Sequence, residues 1–417
     1  MRAASRAACA ISEIMVVSLI RSKSTVNYAK AVMRIIRILR NTVISLGVLY
    51  LALFALTKVI HYPEPISVIK LGLAPASKTP TLMPWHVIDP ASNPIALPVS
   101  SEKMPAEIMY QGTSLSFNEF LKKTDTNAFI VIRNGVMSYE WYKDGVTQST
   151  QLPSYSVGKT MTSIMIGQLV SQGKIKESDK FVDYFPDLKA GTSFDLVTIK
   201  HLLDMQAGVG VSDNYPSGPT GWGLAIAQMY ASTDIDWFLK HNRKMAFEPG
   251  SKSEYMSVDT QMLGMIIKKV TGKRISDYFS KNVWQVVGAK YPATWNVDRI
   301  GGTEKTFCCF NASAIDYAKV GMLFLNGGYS GPNRVIDKAW LNRLTTPVTT
   351  LDRNWGYAAQ VWHPYPNTSL MLGLHGQFVF INPATRTVIV KLSDNPTDSD
   401  HEADTAKALL EISNLKS

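Results

Sequence analysis

Apolar residues fall into three regimes along the 417-residue chain. One is an unbroken run, Asn41 to Thr57 (NTVISLGVLYLALFALT), 17 residues without a charge. At ~1.5 Å per residue a helix of that length spans about 25 Å, enough for a bilayer core if Lys58 snorkels. The second regime is strand-like. Ala128–Ile132 (AFIVI) and Val136–Trp141 (VMSYEW) flank Arg133-Asn134-Gly135, and an Asn-Gly pair between two such runs signals a hairpin. Tyr357–Trp362, Gln377–Ile381 and Thr387–Leu392 add strands near the C-terminus. Helical patterns lie between, at Met161–Val170, Ile199–Met205 and Ser257–Val270, and a last helix covers roughly 401–415. Strands from both ends around a helical middle predict an α/β protein, an α+β sandwich. Its single antiparallel sheet is built from the two chain ends, with an inserted helical subdomain.

Charge changes this picture at the N-terminus. The chain is net +10, but residues 1–40 hold eight basic residues against one acid, which leaves 35 basic against 32 acidic in the rest. The basicity belongs to a tail, so nucleic acid loses its argument as a partner. Arg34, Arg37 and Arg40 precede the apolar run, and the positive-inside rule then puts the N-terminus in the cytoplasm. The expected organisation is a basic cytoplasmic tail (1–40), a transmembrane signal anchor (41–60), a Pro-rich linker (61–105, nine of 21 prolines) and a folded domain (106–417). The bilayer is therefore an expected partner through residues 41–60. The expected location is the inner (cytoplasmic) membrane with the domain on the periplasmic side. A cleaved signal peptide lacks an A-x-A site after the run, while an acid-poor, Arg- and Ser-rich leader leaves a mitochondrial presequence as an alternative. Met33 begins a leader of more ordinary length, so it is a candidate start.

Composition fits a packed domain, 46% hydrophobic and 18% charged. With one long apolar run, a largely disordered chain and a multi-span membrane protein are both excluded. Three cysteines make no disulfide framework; Cys308 and Cys309 read as two small buried residues, a vicinal disulfide being the alternative.

No G-x-S-x-G, H-E-x-x-H, GxxxxGK[ST] or C-x-x-C occurs, and the seven His residues have no ligand spacing, so neither a metal nor another cofactor is expected. What remains is S-x-x-K at Ser156-Val157-Gly158-Lys159. The pattern recurs elsewhere, as at Ser100/Lys103, Ser171/Lys174 and Ser413/Lys416, but Ser156 opens a long apolar helix, KTMTSIMIGQLV. At i, i+3 the ammonium lies one turn along the same face and reaches the hydroxyl. A lysine desolvated there favours its amine form and can serve as a base, and the helix N-terminus favours developing negative charge. The alternative is an N-cap serine beside a surface lysine.

Two further blocks complete a candidate site. Phe247-Glu248-Pro249-Gly250 leads into Tyr255-Met256-Ser257, where a buried tyrosine could relay a proton and Ser257 could hold the network. Gly373-Leu374-His375-Gly376-Gln377 precedes the strand FVFINP, where glycines let a carbonyl approach the main chain.

Ser156-x-x-Lys159, Tyr255-x-Ser257 and the late Gly/His block come in the order found in the penicillin-recognising serine hydrolases (the beta-lactamase-related superfamily). TIKHLLDMQAGV (198–209), FEPG…YMS…LGMIIKKVTG (247–272) and AIDYAKVGMLFLNGG (314–328) are similar to the same family, and the resemblance covers roughly 110–415. It is closest to the 6-aminohexanoate-dimer hydrolase and class C beta-lactamase-like esterase branch. It implies a membrane-anchored serine hydrolase that cleaves an ester or amide through an acyl-enzyme. In that reading Ser156 is the nucleophile, Lys159 its base and Tyr255 the proton donor to the leaving group. Ser257 orients the network, and Gly373 and Leu374 form the oxyanion edge together with the Ser156 N–H. Tyr215, His375 and Gln377 contact a small-molecule substrate, with Trp222 and Phe378 as apolar neighbours. The family's Y-x-N is Y-x-S here, and its K-T-G lysine is missing: Met371-Leu372-Gly373 stands there in one register, His375-Gly376-Gln377 in another. Efficient beta-lactam turnover is therefore not expected. A peptidoglycan-directed or beta-lactam-binding enzyme of the same superfamily, or a recognition domain without catalysis, are the other readings.

Overall fold

The strand-like runs assemble into one eight-stranded antiparallel sheet in the computed structural model, which describes residues 2–213, 224–395 and 401–415. In chain order the strands are β1 (Thr126–Arg133), β2 (Val136–Tyr142), β3 (Thr349–Thr350), β4 (Gly356–Ala358), β5 (Val361–His363), β6 (Ser369–Gly373), β7 (Gln377–Asn382) and β8 (Thr387–Ser393). Across the sheet the order is β3-β4-β5-β6-β7-β8-β1-β2, so the last strand pairs with the first and the two chain ends close one sheet. Asn134 and Gly135, with φ of 51° and 80°, turn β1 into β2 as the Asn-Gly signal predicts.

The central strands are covered on both faces, which is why their sequences read as continuous apolar runs. Ala128, Ile130 and Ile132 enter one core, and Phe129 and Val131 the other. The helices that matter below are α1 (Arg2–Val59), α2 (Val157–Ser171), α3 (Ser257–Thr271), α4 (Ala314–Leu325) and α5 (Glu402–Ser413). Residues of α2, α3 and α4 share the first core, and α5 packs in the second with Phe117 and Phe120. Arg133 fastens the end of β1: its guanidinium donates to the Ile412 and Ser413 carbonyls at the end of α5 and pairs with Glu102 at 2.8 Å.

The run Tyr357–Trp362, expected as one strand, is a tight hairpin. Ala359 and Gln360 take φ of 45° and 70° between β4 and β5. No glycine announces this turn. The buried Gln360 holds it instead: its amide donates to the Leu202 and Leu203 carbonyls and accepts from Thr260, and its main-chain oxygen accepts from Thr160.

Residues 1–60 and 61–417 form two separate units. In the first, α1 contains a 32-residue stretch, Tyr28–Val59, long and apolar enough to cross a membrane. The Pro-rich stretch belongs to the second unit. Pro65–Leu73 is a helix, and Trp85–Ile88 is an edge strand paired with Ala293–Asn296. Its alternation buries His86 and Ile88 while Trp85 and Val87 stay exposed. The prolines fall outside the paired residues, where a missing N–H costs no ladder bond.

Candidate active site

Ser156 occupies the N-cap position of α2, yet its hydroxyl caps nothing. Lys159 approaches it from one turn along the helix, with Nζ 2.9 Å from Ser156 Oγ. The same Nζ lies 2.8 Å from Ser257 Oγ and 2.8 Å from the Phe307 carbonyl. Lys159 is 1% exposed, and burial pushes it down to about 8, against the opposing pull of the Asp213 and Asp259 carboxyls. A surface lysine beside a capping serine is thereby excluded.

The hydrogen-bond directions follow from Asp213. Its Oδ1 accepts the Ser257 N–H at 2.8 Å and its Oδ2 accepts the Ser257 hydroxyl. With its proton committed there, Ser257 Oγ can only accept from Lys159, and the Phe307 carbonyl can only accept. A neutral amine has two hydrogens, and these two acceptors take both. In that amine form the lone pair is left facing Ser156 Oγ, whereas the ammonium donates to all three oxygens. Burial raises the Asp213 carboxyl, but Lys159 and the two Ser257 bonds pull it back. The fully buried Asp259 carboxyl is pushed well above its usual range. The two Ser257 donations favour the charged form of Asp213, a support that Asp259 lacks.

Tyr255 lies beside Ser156, and burial pushes its hydroxyl well above its ordinary value, so it stays a neutral phenol. Trp362 stacks on its ring at 5.4 Å and Lys159 Nζ lies 5.0 Å from the ring centroid. The end of β6 faces the nucleophile. A Cβ at Gly373 would stand 2.3 Å from the Ser154 carbonyl oxygen and 3.1 Å from the Ser156 nitrogen, so only glycine allows this approach. This puts Met371-Leu372-Gly373 on the strand beside Ser156, while His375 and Gly376, with φ of 63° and 84°, form the turn after it. Ser156 N–H stands at the start of α2, where helix donors lack intrahelical acceptors, and Leu374 begins the turn beyond Gly373. His375 packs edge-on against Tyr155, centroids 4.9 Å apart, and burial lowers its pKa so that it is neutral.

The structure thus brings together Ser156, Lys159, Tyr255, Ser257 and Gly373, with Leu374 and His375 beside them. Gln377 is 0% exposed, and its amide donates to the Leu374, His375 and Ser393 carbonyls and accepts the Ser393 N–H, so in this structure it clamps the turn. Phe378 is equally buried, in the core behind the sheet. Tyr215 and Trp222 lie outside the described residues. Sequence reasoning missed two participants. The Phe307 carbonyl is main chain and has no residue signature. Asp213 sits in the loop SDNYPSG, where an acid before Asn and Pro looks like a turn former. Cys308 and Cys309, read as two small buried residues, are joined by a disulfide. Among the described residues no group of His, Cys, Asp and Glu could hold a metal.

A beta-lactamase family model matches residues 117–412. The 6-aminohexanoate-dimer hydrolase of Paenarthrobacter ureafaciens is 28% identical over 299 residues, 66% of this chain and 74% of that one. A solved structure assigned to a 6-aminohexanoate-dimer hydrolase of Bacillus anthracis superposes with a TM-score of 0.72 at 22% identity, covering 84% of this chain and 94% of that one. A penicillin-binding protein from Bacillus halodurans gives 0.55 at 17%, covering 71% and 99%. The two structures share the fold, and the family match spans more than half of the residues, most of the second unit included: the chain belongs to the beta-lactamase family of serine hydrolases.

Proposed function

We propose that this protein hydrolyses a small ester or amide through an acyl-enzyme on Ser156, with Lys159 as the general base. One observation carries the reading: the buried Lys159 Nζ lies 2.9 Å from Ser156 Oγ and is held by Ser257 and Phe307, so in its amine form, with both hydrogens on those two acceptors, its lone pair faces the Ser156 hydroxyl. Ser156 Oγ attacks the carbonyl as Lys159 takes its proton. The N–H groups of Ser156 and Leu374 receive the oxyanion, a donation worth roughly 3 kcal/mol per donor. Tyr255, neutral and beside Ser156, passes a proton to the leaving group, and water then releases the acyl group by the same route in reverse.

The neighbours favour an apolar or aromatic acyl group, since Tyr255, stacked on Trp362, lies against Lys159 and Tyr155 precedes Ser156 in the chain. The strand beside Ser156 offers Met371 and Leu372, both buried and apolar, where a beta-lactam carboxylate would need a cation. This supports ester or amide turnover over beta-lactam hydrolysis. The similarity to a 6-aminohexanoate-dimer hydrolase points the same way, towards a linear amide. Tyr28–Val59 would anchor the chain in the cytoplasmic membrane, with the hydrolase domain outside. The Cys308–Cys309 disulfide supports that side, because disulfides persist in oxidising compartments.

The test is turnover of nitrophenyl esters and short linear amides by the full chain. Ser156→Ala and Lys159→Ala are expected to abolish it with the fold intact. Full activity in either variant would sink the mechanism.

A further inference from the structure

The acceptor that fixes one hydrogen of Lys159 lies in the loop Thr303–Cys309, whose last two residues are bonded to each other. A disulfide between adjacent residues closes an eight-membered ring around their peptide bond and takes away the rotations that would let that segment swing. Cys309 is held at φ 68°, a left-handed conformation that side-chain-bearing residues rarely adopt. The ring is pinned on both sides. The Cys308 N–H donates to the Lys305 carbonyl at 3.1 Å, and the Cys308 carbonyl accepts from the Trp295 indole at 2.9 Å. The Cys309 carbonyl accepts the Asn296 N–H at 2.8 Å. On its other side the Cys308 carbonyl oxygen lies 3.2 Å from where a Cβ on Gly158 would be, one residue before Lys159. The ring therefore sits between the peptide that holds the lysine amine and the helix that carries both lysine and serine.

We propose that the Cys308–Cys309 disulfide is a positioning element for Lys159, and that its reduction by a dithiol slows acyl transfer. The inference rests on Lys159 being the base. In the exchange, one thiolate of the dithiol attacks a sulfur of the ring and breaks the S–S bond, giving a mixed disulfide. The second thiol displaces it, leaving the dithiol as a cyclic disulfide and Cys308 and Cys309 as two thiols that carry its two electrons and two protons. Once the ring is open, Cys309 relaxes from its left-handed conformation and the Phe307 carbonyl turns with the chain. Lys159 then loses a fixed acceptor, and its lone pair no longer has one direction. Both cysteines are nearly buried, 3% and 5% exposed, so access is through a small reductant or an opening of the loop.

The experiment uses the full chain with Cys9→Ser, in detergent, with dithiothreitol as the reductant. Alkylation and intact mass count the thiols, while ester hydrolysis is followed against pH. Reduction is expected to lower kcat on the order of tenfold to a hundredfold, with KM nearly unchanged. The midpoint of the pH–rate curve should move away from its oxidised position, and diamide reoxidation should restore both. Cys308→Ser/Cys309→Ser should be slow from the start and indifferent to dithiothreitol, which keeps the test decisive if the native ring resists reduction. Full reduction, or the double variant, with unchanged kcat and midpoint would overturn the proposal, as would two free thiols in the untreated protein. Fluorophosphonate separates the two levels. No adduct on the oxidised enzyme defeats the base assignment itself, whereas equal adduct rates before and after reduction defeat only the role of the ring.

Discussion

Asp213→Asn tests the directional argument at its source. The carboxylate accepts twice from Ser257, and this alone obliges Ser257 Oγ to accept from Lys159. An asparagine that keeps its oxygen on the Ser257 N–H turns an NH2 towards Ser257 Oγ. The Ser257 hydroxyl then turns and donates its hydrogen bond to the Lys159 nitrogen, occupying the lone pair that Ser156 needs. A hydrogen bond to a charged group contributes about 1.5–3 kcal/mol, and about 1.4 kcal/mol is tenfold in rate, so kcat should fall on the order of tenfold to 150-fold. KM should hardly change, because Asp213 lies behind Ser257, 6% exposed. The pH profile supplies a second sign. Activity rises as Lys159 loses its proton, with a midpoint near its value of about 8. The Asp213 carboxylate favours the ammonium, so its removal lowers the lysine further and moves the midpoint to lower pH. Initial rates of nitrophenyl ester hydrolysis between pH 6 and 10, with thermal melts to confirm folding, give both readouts. Because Asp213 acts through Ser257, the losses in Asp213→Asn and Ser257→Ala should fall well short of adding in the double variant. A rate within twofold of the parent and an unmoved midpoint would refute the reasoning.

Other outcomes follow from the same geometry. Gly373→Ala should all but abolish turnover, since its Cβ would meet the Ser154 carbonyl at 2.3 Å and force β6 off the nucleophile; melts should show a loss of about 1–3 kcal/mol. Tyr255→Phe should spare esters with nitrophenol leaving groups, which depart without help, and slow amides by at least about a hundredfold; equal losses on both would remove Tyr255 from leaving-group protonation. Gln377→Ala should lower stability and kcat together by leaving the Leu374, His375 and Ser393 carbonyls without their donor, and a change confined to KM would mark it as a substrate contact.

How much of this could be read from residues alone depended on where the information was stored. The sheet was legible because β1, β7 and β8 are buried on both faces and are dominated by the apolar runs AFIVI, FVFI and VIV, and because Asn134-Gly135 is a turn by its own chemistry. Ser156 and Lys159 were legible because one helical turn joins them. The β4–β5 hairpin was hidden: its left-handed residues are Ala359 and Gln360, held there by tertiary bonds rather than by preference. Asp213 was hidden for a related reason, as its partner lies 44 residues away and the loop around it resembles an ordinary turn. A glycine-flanked amide such as Gln377 next to a site looks like a ligand contact, and only its hydrogen bonds to Leu374, His375 and Ser393 reveal a clamp. The Phe307 carbonyl carries no sequence signal of any kind.

The most direct measurement of the central claim is covalent. The full chain, with a Lys159→Ala control, is incubated with a fluorophosphonate at pH 8, weighed intact and digested to locate the label. The account predicts one adduct per chain on Ser156, formed on the order of a hundredfold or more faster than in the control. A folded protein that takes no label, or takes it on Ser156 equally fast without Lys159, would contradict it.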